Sequence, residues 1–391
     1  MNNVKLTYVK VKLPEPKWNS ELAEKIVELE KIRGMTPNPA SLDVFMMLKI
    51  IFQNLENWAS ARIEGNQTRI LDALDPKRQE RKKDDYHIQE LNNLEKAAVY
   101  IDECAERSTT HRSITKNFIL DLHKSVTEGL PVGDDLPGDE TPGRYRTKAV
   151  EITKSKHVPP MGVKVDDYMN ELIEFINHDD GKINHLLKVA IFHHRFTWIH
   201  PFNNGNGRVV RLLTYALLDM MGYGVRNGRI LNPTAVFFAD RQRYYKKLAG
   251  ADSGTDAGIL RWADYFIDGV LHEIQKIDML LDNQFLKDEL LIPVLREAVN
   301  AKRISGDQFQ VLRASFNSPD MTFAARDLDG ALGRQFTPQE RSRFIKKMKQ
   351  DSIIRNAFGK TQRYVIELWS DTFIRFVVTR LRDNGFVTEK L

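Results

Sequence analysis

The sequence has one cysteine, Cys104, among its 391 residues. A lone thiol cannot form a disulfide within the chain, which excludes a disulfide-stapled scaffold and points to a reducing compartment. No stretch approaches the roughly 20 apolar residues of a membrane span. Residues 1–16 also lack the apolar centre of a signal peptide. We therefore expect a cytoplasmic protein without a membrane partner.

The familiar phosphate-binding motifs are missing as well. The sequence has no G-x-x-x-x-G-K-[ST] and no dinucleotide-type G-x-G-x-x-G. Around His193, His194 and His200 there is no Cys or carboxylate spacing typical of zinc, so we do not expect these histidines to form a metal cluster.

Positive charge is concentrated near the end of the chain. Residues 285–391 hold 19 Lys and Arg against 13 Asp and Glu, whereas the whole chain holds 58 against 53. This imbalance indicates a separate domain with an anionic partner. A solvated basic surface explains the charge equally well.

Hydrophobic periodicity predicts a largely helical protein. Apolar residues recur every three or four positions between Ser41 and Ile63, as on one face of a helix, and Gly65 follows as a stop signal. The glycine, proline and acid of residues 131–143 predict a long loop, followed by short strands at 145–152 and 156–158. Helices are predicted at 21–33, 41–63, 87–107, 115–128, 165–177, 184–197, 207–221 and within 240–282.

The C-terminal part has a different pattern. Thr337 to Glu340 forms a capping box with proline at the first helical position, opening a basic helix that runs to about Gln350. Two strand-like runs follow at 353–358 and 363–368. This order predicts a winged helix-turn-helix.

One segment carries recognisable chemistry: the run HPFNNGNGR from His200 to Arg208. Its glycines allow a concave nest of N–H groups that leads into a helix N-terminus, which favours phosphate. Arg208 and Arg211 are three residues apart and share a helix face. An imidazole at the entrance is suited to take a proton from a hydroxyl. On physical grounds alone, a structural turn remains an equal alternative.

The extended run HPFNNGNGRVVR closely resembles the signature of the Fic family. PGRYRTKAVEI and KHVPP resemble that family's flap, and RQRYYKKL resembles its adenine-contacting segment. The resemblance covers roughly residues 40–275. It implies a mostly α fold, with a Fic-type helical core and a short β-hairpin flap, here followed by the winged-helix-like domain.

The resemblance implies a protein adenylyltransferase that uses ATP as substrate and Mg²⁺ as cofactor. His200 would be the general base toward a Ser, Thr or Tyr hydroxyl of a target protein. The nucleotide-binding residues would be Asn204, Gly205, Asn206, Gly207, Arg208, Arg211, Tyr244, Tyr245 and, in the flap, Thr153.

Position 204 departs from the family pattern. The family has Asp or Glu where this chain has Asn204, and that carboxylate binds the metal. An amide oxygen still ligates Mg²⁺, but without a negative charge. On this basis we expect Asn204→Asp to tighten Mg²⁺ binding and to raise transfer.

Upstream, SARIEG from Ser60 to Gly65 resembles the family's inhibitory motif. By analogy, Glu64 pairs with Arg211 and takes the place of the γ-phosphate. The chain then divides into an N-terminal helical region at 1–110, with the inhibitory helix at about 42–65, a catalytic core at 111–282 and the winged-helix-like domain at 283–391.

Three functions remain open at this point. The first, which we favour, is a self-inhibited AMP transferase that acts on a target protein or on itself, with a homodimer as one arrangement. The second is the same site working with another phosphate donor or removing AMP by hydrolysis. The third is a DNA-binding regulator whose core only binds nucleotide.

Overall fold

The computed structural model describes residues 9–33, 35, 39, 41–74, 85–107, 113–152, 155–223 and 233–387. The fold is mostly helical, as predicted. The helices are α1 (Glu21–Arg33), α2 (Leu42–Ile63), α3 (Ile70–Leu74), α4 (Tyr86–Arg107), α5 (Lys116–Thr127), α6 (Val165–Asn177), α7 (His185–Ile199), α8 (Asn206–Met220), α9 (Pro233–Ala239), α10 (Arg241–Ala249), α11 (Asp256–Met279), α12 (Asn283–Phe285), α13 (Ile292–Asn300), α14 (Gly306–Ser315), α15 (Leu328–Leu332), α16 (Pro338–Gln350) and α17 (Ile374–Asp383).

Two compact units make up the chain. Residues 1–36, 56–68 and 82–274 form the first, and residues 37–55, 69–81 and 275–391 form the second. The units differ from the three expected regions because segments distant in sequence cluster together.

The core of the first unit is built around α7 and α8. Nearly every residue of both helices is buried, as expected for helices that are apolar on most sides. α6 packs on α7, and α5 packs on α8. α6 is amphipathic, and its buried residues lie on one face: Val165, Met169, Leu172 and Ile176. This packing fixes the turn between α7 and α8, where the predicted site lies.

The second unit contains a small antiparallel sheet. Its strands are β1 (Phe323–Ala324), β2 (Ile354–Asn356) and β3 (Arg363–Ile366), in the order β1-β3-β2. The capping box at Thr337 is present as predicted, and α16 buries Ile345 and Met348. β2 and β3 follow α16 near their predicted positions. The assignment of this unit as a winged helix stays a prediction.

The predicted hairpin in the flap is wrong for the residues that the structure describes. Residues 145–152 and 155–158 contain no strand, although Ser155 N donates to Ile152 O at 3.0 Å to close a turn. The guanidinium of Arg146 donates to Lys148 O and Pro160 O, each at 2.7 Å. The side chain of Arg146 therefore bonds to one carbonyl of the first predicted strand and to one that follows the second.

One further expectation concerns membranes. Within the described ranges, no helix combines the length and apolar character that crossing a bilayer requires.

Candidate active site

The turn between α7 and α8 forms the predicted nest. His200 and Gly205 both have positive φ, 52° and 76°, and α8 begins at Asn206. The Asn206 amide closes the turn, because it accepts from Phe202 N and donates to Phe202 O, both at 2.9 Å. The first N–H groups of α8 have no intrahelical partner, so they present a site for an anion.

His200 stands at the entrance of this nest, and Arg146 braces its backbone. Arg146 Nε donates to His200 O at 2.7 Å, and one terminal nitrogen donates to Ile199 O at 3.2 Å. Burial lowers the pKa of His200 to about 4, and the charge of Arg146 adds to the shift, while Glu64 opposes it. His200 is therefore neutral near pH 7 and is free to accept a proton.

Glu64 and Ser60 meet Arg211, as the inhibitory motif implies. Arg211 Nε donates to Ser60 Oγ at 2.9 Å. A terminal nitrogen of Arg211 donates to Ser60 O at 3.0 Å and to Glu64 Oε1 at 2.7 Å. Burial alone would raise the pKa of Glu64, but the positive charge of Arg211 and its hydrogen bond lower it below the usual value. The carboxylate is therefore ionised and paired.

The same carboxylate lies directly on the nest. A Cβ atom added to Gly207 would lie 2.2 Å from Glu64 Oε1 and 3.0 Å from an Arg211 nitrogen. No other residue type fits at position 207 without displacing Glu64. An anionic group of the chain thus occupies the end of the helix that a phosphate would approach.

The end of α2 is firmly held. Trp58 Nε1 donates to Thr68 O at 2.9 Å, and Gly65 turns the chain with a φ of 105°. Asn66 Nδ2 donates to Glu90 Oε2 at 2.7 Å, which ties the turn to α4. These contacts position Glu64 independently of its pairing with Arg211.

Arg208 has other partners than expected. Its guanidinium pairs with Glu90 at 2.9 Å. It also donates to Val126 O at 3.3 Å and to Pro137 O at 2.5 Å. The side chain is 1% exposed. In this conformation Arg208 joins α4, α5 and the loop before the flap, and its role toward phosphate stays a prediction.

The geometry of Asn204 favours a structural role for its side chain over the expected role as a metal ligand. Its Nδ2 donates to Leu136 O at 2.6 Å and to Gly138 O at 3.1 Å. Its Oδ1 accepts from Gly205 N at 2.7 Å. The amide nitrogen is turned toward the loop and the oxygen toward Gly205 N, which argues against the gain expected from Asn204→Asp.

The sequence analysis missed a buried pair behind the nest. His123 stacks on Phe202 with ring centroids 3.7 Å apart, and its Nε2 lies 3.2 Å from Asn204 O. Asp139 Oδ2 accepts from Asn204 N at 2.8 Å, and both side chains of the pair are fully buried. The hydrogen bonds to Asp139 hold its pKa well below the usual range despite burial. No sequence motif marked either residue.

Tyr244 and Tyr245 have different environments. The Tyr244 hydroxyl lies 2.9 Å from His193 Nε2 in the core, and the ring is 2% exposed. Tyr245 is 44% exposed, and the Arg241 guanidinium lies 5.5 Å from its ring centroid. Tyr245 is thus the tyrosine available to a nucleotide base. Thr153 lies outside the described residues.

His193 and His194 of α7 have hydrogen-bond partners within the fold. His193 Nδ1 lies 2.7 Å from Thr214 Oγ1, and His194 Nε2 lies 3.0 Å from Asp252 Oδ1. In the part of the chain that the structure describes, no three His, Cys, Asp or Glu side chains form a metal-binding group.

The site is a helix N-terminus suited to bind an anion. An imidazole, that of His200, stands at its entrance, and the carboxylate of Glu64 occupies the anion position. Residues 113–218 match the model of the Fic/DOC family.

Curated relatives of this chain bear the name protein adenylyltransferase Fic. The one from Nematostella vectensis is 30% identical over 44% of this chain and 36% of its own length. The one from Aedes aegypti is 30% identical over 42% of this chain and 30% of its own length. The chain thus matches about a third of each relative.

Solved structures support the fold. A Fic family protein from Desulfovibrio desulfuricans has a TM-score of 0.53 at 20% identity, covering 91% of this chain and 98% of its own. A Fic domain containing signaling protein from Bacteroides thetaiotaomicron has a TM-score of 0.52 at 17% identity, covering 67% of this chain and 98% of its own.

Proposed function

We propose that this protein is a self-inhibited adenylyltransferase that moves AMP from ATP to a hydroxyl group of a target protein. The observation that carries the proposal is the pairing of Arg211 with Glu64 over Gly207, beside His200. The names of the relatives support AMP as the transferred group. The protein itself is one candidate target, because any accessible Ser, Thr or Tyr supplies the hydroxyl.

In this proposal the triphosphate follows the N-terminus of α8. The N–H groups of residues 206 and 207 bind the α- and β-phosphates, where the helix dipole favours negative charge, while Gly205 N stays bonded to Asn204 Oδ1. Arg211, once released from Glu64, binds the γ-phosphate through charge-assisted hydrogen bonds. Tyr245 and Arg241 lie in the first half of α10 and offer a surface for the adenine.

The chemical step needs one proton acceptor. Neutral His200 takes the proton from the target hydroxyl as its oxygen attacks the α-phosphorus. The bond from the α-phosphorus to the bridging oxygen breaks, pyrophosphate leaves, and AMP stays on the target oxygen. Intact-mass analysis after incubation with ATP tests this directly: an added AMP supports transfer, and a different added mass indicates another phosphate donor.

The pH dependence of transfer follows from the lowered pKa of His200. With a pKa of about 4, the imidazole of His200 stays neutral until the pH falls toward that value. An imidazole with a pKa of about 6.5 would lose about tenfold in its neutral fraction between pH 7.5 and 5.5. For Glu64→Gly, which removes a group that raises this pKa, we expect less than about a twofold loss of labelling rate over that range. A tenfold loss, with ATP binding unchanged, would contradict the assignment.

A second candidate function concerns the second unit, which we propose binds DNA through α16. Arg343 and Lys346 are exposed on this helix, and within the described residues neither forms an ion pair. Arg341 pairs with Asp329, and Lys347 pairs with Asp351 at 3.0 Å. Two cations on one helix face are therefore available to phosphates, which dominate such binding.

Binding to DNA should weaken steeply with salt and depend on these two cations. We expect the double variant Arg343→Glu, Lys346→Glu to lower the slope of log affinity against log salt by about two units, one for each phosphate contact. The matched control Lys96→Glu, Arg107→Glu makes the same charge change on α4. A mobility-shift series with no binding at low salt, or with equal losses in both variants, would leave this unit as a protein-interaction or structural domain.

A further inference from the structure

The side chain of Asn204 connects the nest to the loop that precedes the flap. Its two amide hydrogens are directed at Leu136 O and Gly138 O, at 2.6 and 3.1 Å. Its oxygen accepts from Gly205 N at 2.7 Å. The amide thus uses both of its hydrogens on the loop and its oxygen on the nest.

These contacts fix which amide atom is nitrogen. If oxygen and nitrogen exchanged places, an acceptor would face two carbonyl oxygens with no hydrogen between them. An aspartate at position 204 would create the same conflict with a full negative charge. The residue type at this position is therefore matched to the loop.

The loop has little freedom to turn its carbonyls away. A Cβ atom on Gly138 would lie 2.5 Å from Leu130 O, so the backbones are in close contact there. Gly138 N donates to Pro131 O at 2.9 Å, and Asn204 N donates to Asp139 Oδ2 at 2.8 Å. The Gly138 acceptor is held by contacts that do not involve the side chain of Asn204, and Leu136 N donates to Gly133 O at 3.2 Å in the same loop.

Asp139 does not replace the carboxylate that position 204 lacks. Its side chain is fully buried, Oδ1 accepts from Thr141 N at 2.7 Å, and Oδ2 accepts from Asn204 N. Mg²⁺ prefers accessible anionic oxygens and keeps several of its waters. The carboxylate oxygens of Asp139 are already committed to the loop.

We propose that Asn204 prevents metal binding at the position where the Fic family has a metal-binding carboxylate. ATP then binds without a divalent cation held by the protein. The inference rests on the proposed function, since it concerns how that nucleotide is bound. The N–H groups of the nest and the guanidinium of Arg211 then neutralise the triphosphate. Asn204 acts as a positioning residue that ties residues 136–138 to the nest.

The first test measures binding of ATP by calorimetry with the Glu64→Gly protein, in excess Mg²⁺ and in EDTA. We expect the affinity in EDTA to be no weaker than in Mg²⁺ by more than about threefold. A larger loss in EDTA would overturn the proposal. Absence of ATP binding in both buffers would contradict the proposed function instead.

The second test needs no nucleotide and therefore separates the two proposals. We expect Asn204→Asp to melt several degrees below the parent in EDTA, and at least as low as the control Asn204→Ala, because it adds repulsion to the loss of two hydrogen bonds. Added Mg²⁺ should not restore its stability. An aspartate variant as stable as the parent would overturn the match between Asn204 and the loop, and one that Mg²⁺ specifically stabilises would show that position 204 is an available metal site.

Discussion

Replacing Glu64 with glycine should convert a nearly silent protein into one that labels itself or its target with AMP from ATP. We expect a gain of about a hundredfold or more, because misplacement of a reacting group by about 1 Å costs on that order. The measurement is incorporation of label from ATP by the parent and the variant under the same conditions.

The physical reason is competition for Arg211 and for the nest. Glu64 Oε1 is 2.7 Å from an Arg211 nitrogen and would be 2.2 Å from a Cβ on Gly207. A γ-phosphate needs the same guanidinium and the same end of α8. Because Glu64 is attached to a packed helix, it competes at a high effective concentration. ATP that binds beside it has its α-phosphorus out of line with the attacking hydroxyl.

Two controls separate this reading from a general loosening of the fold. Glu64→Gln keeps the shape of the side chain but removes its charge. Its labelling rate should therefore lie between that of the parent and that of the glycine variant. The double variant Glu64→Gly, His200→Ala should be silent. Trp58 and Asn66 hold the end of α2 without Glu64, so the variant should stay folded, with a melting temperature lowered by the loss of the buried Arg211–Glu64 pair. Equal labelling by the parent and Glu64→Gly would make Glu64 an ordinary helix end.

The sequence predicts the helices well where local pattern decides them. α1 and α6 span the predicted residues, and the capping box at Thr337 opens α16 as expected. Each of these carries its own signal of periodicity or capping. Residues 240–282 were expected to be simply helical, but α10 ends at Ala249 and α11 starts at Asp256.

The site shows where local pattern stops being informative. Its outline, His200 with the nest, is contiguous in sequence, and so a motif reveals it. Arg146 braces the backbone of His200 from 54 residues away, and Asn204 bonds to Leu136 O from 68 residues away. Such partners are set by tertiary packing, which periodicity does not encode.

Replacing His200 with alanine should abolish transfer while leaving ATP binding nearly intact. Loss of a general base costs about 10²- to 10⁴-fold in rate, whereas the nest and Arg211 bind phosphate without the imidazole. The comparison is made in the Glu64→Gly protein, where the parental rate is measurable.

The structure gives reasons to expect that the His200→Ala protein stays folded. The backbone at position 200 has a φ of 52°, which histidine adopts more readily than alanine, so the substitution adds a small backbone cost. Arg146 donates to the carbonyl of residue 200, not to its side chain. The bracing of the turn is therefore retained, and the nest should keep its shape.

A matched control is available in His178, which is exposed and lies 3.0 Å from Asp180. His178→Ala removes an imidazole outside the site and should label at the rate of the Glu64→Gly parent. Calorimetry with ATP should give similar affinities for all three proteins. If His200→Ala labels at the parental rate, another group takes the proton. If instead it loses both labelling and ATP binding, His200 is part of the phosphate site and its role as the base is wrong.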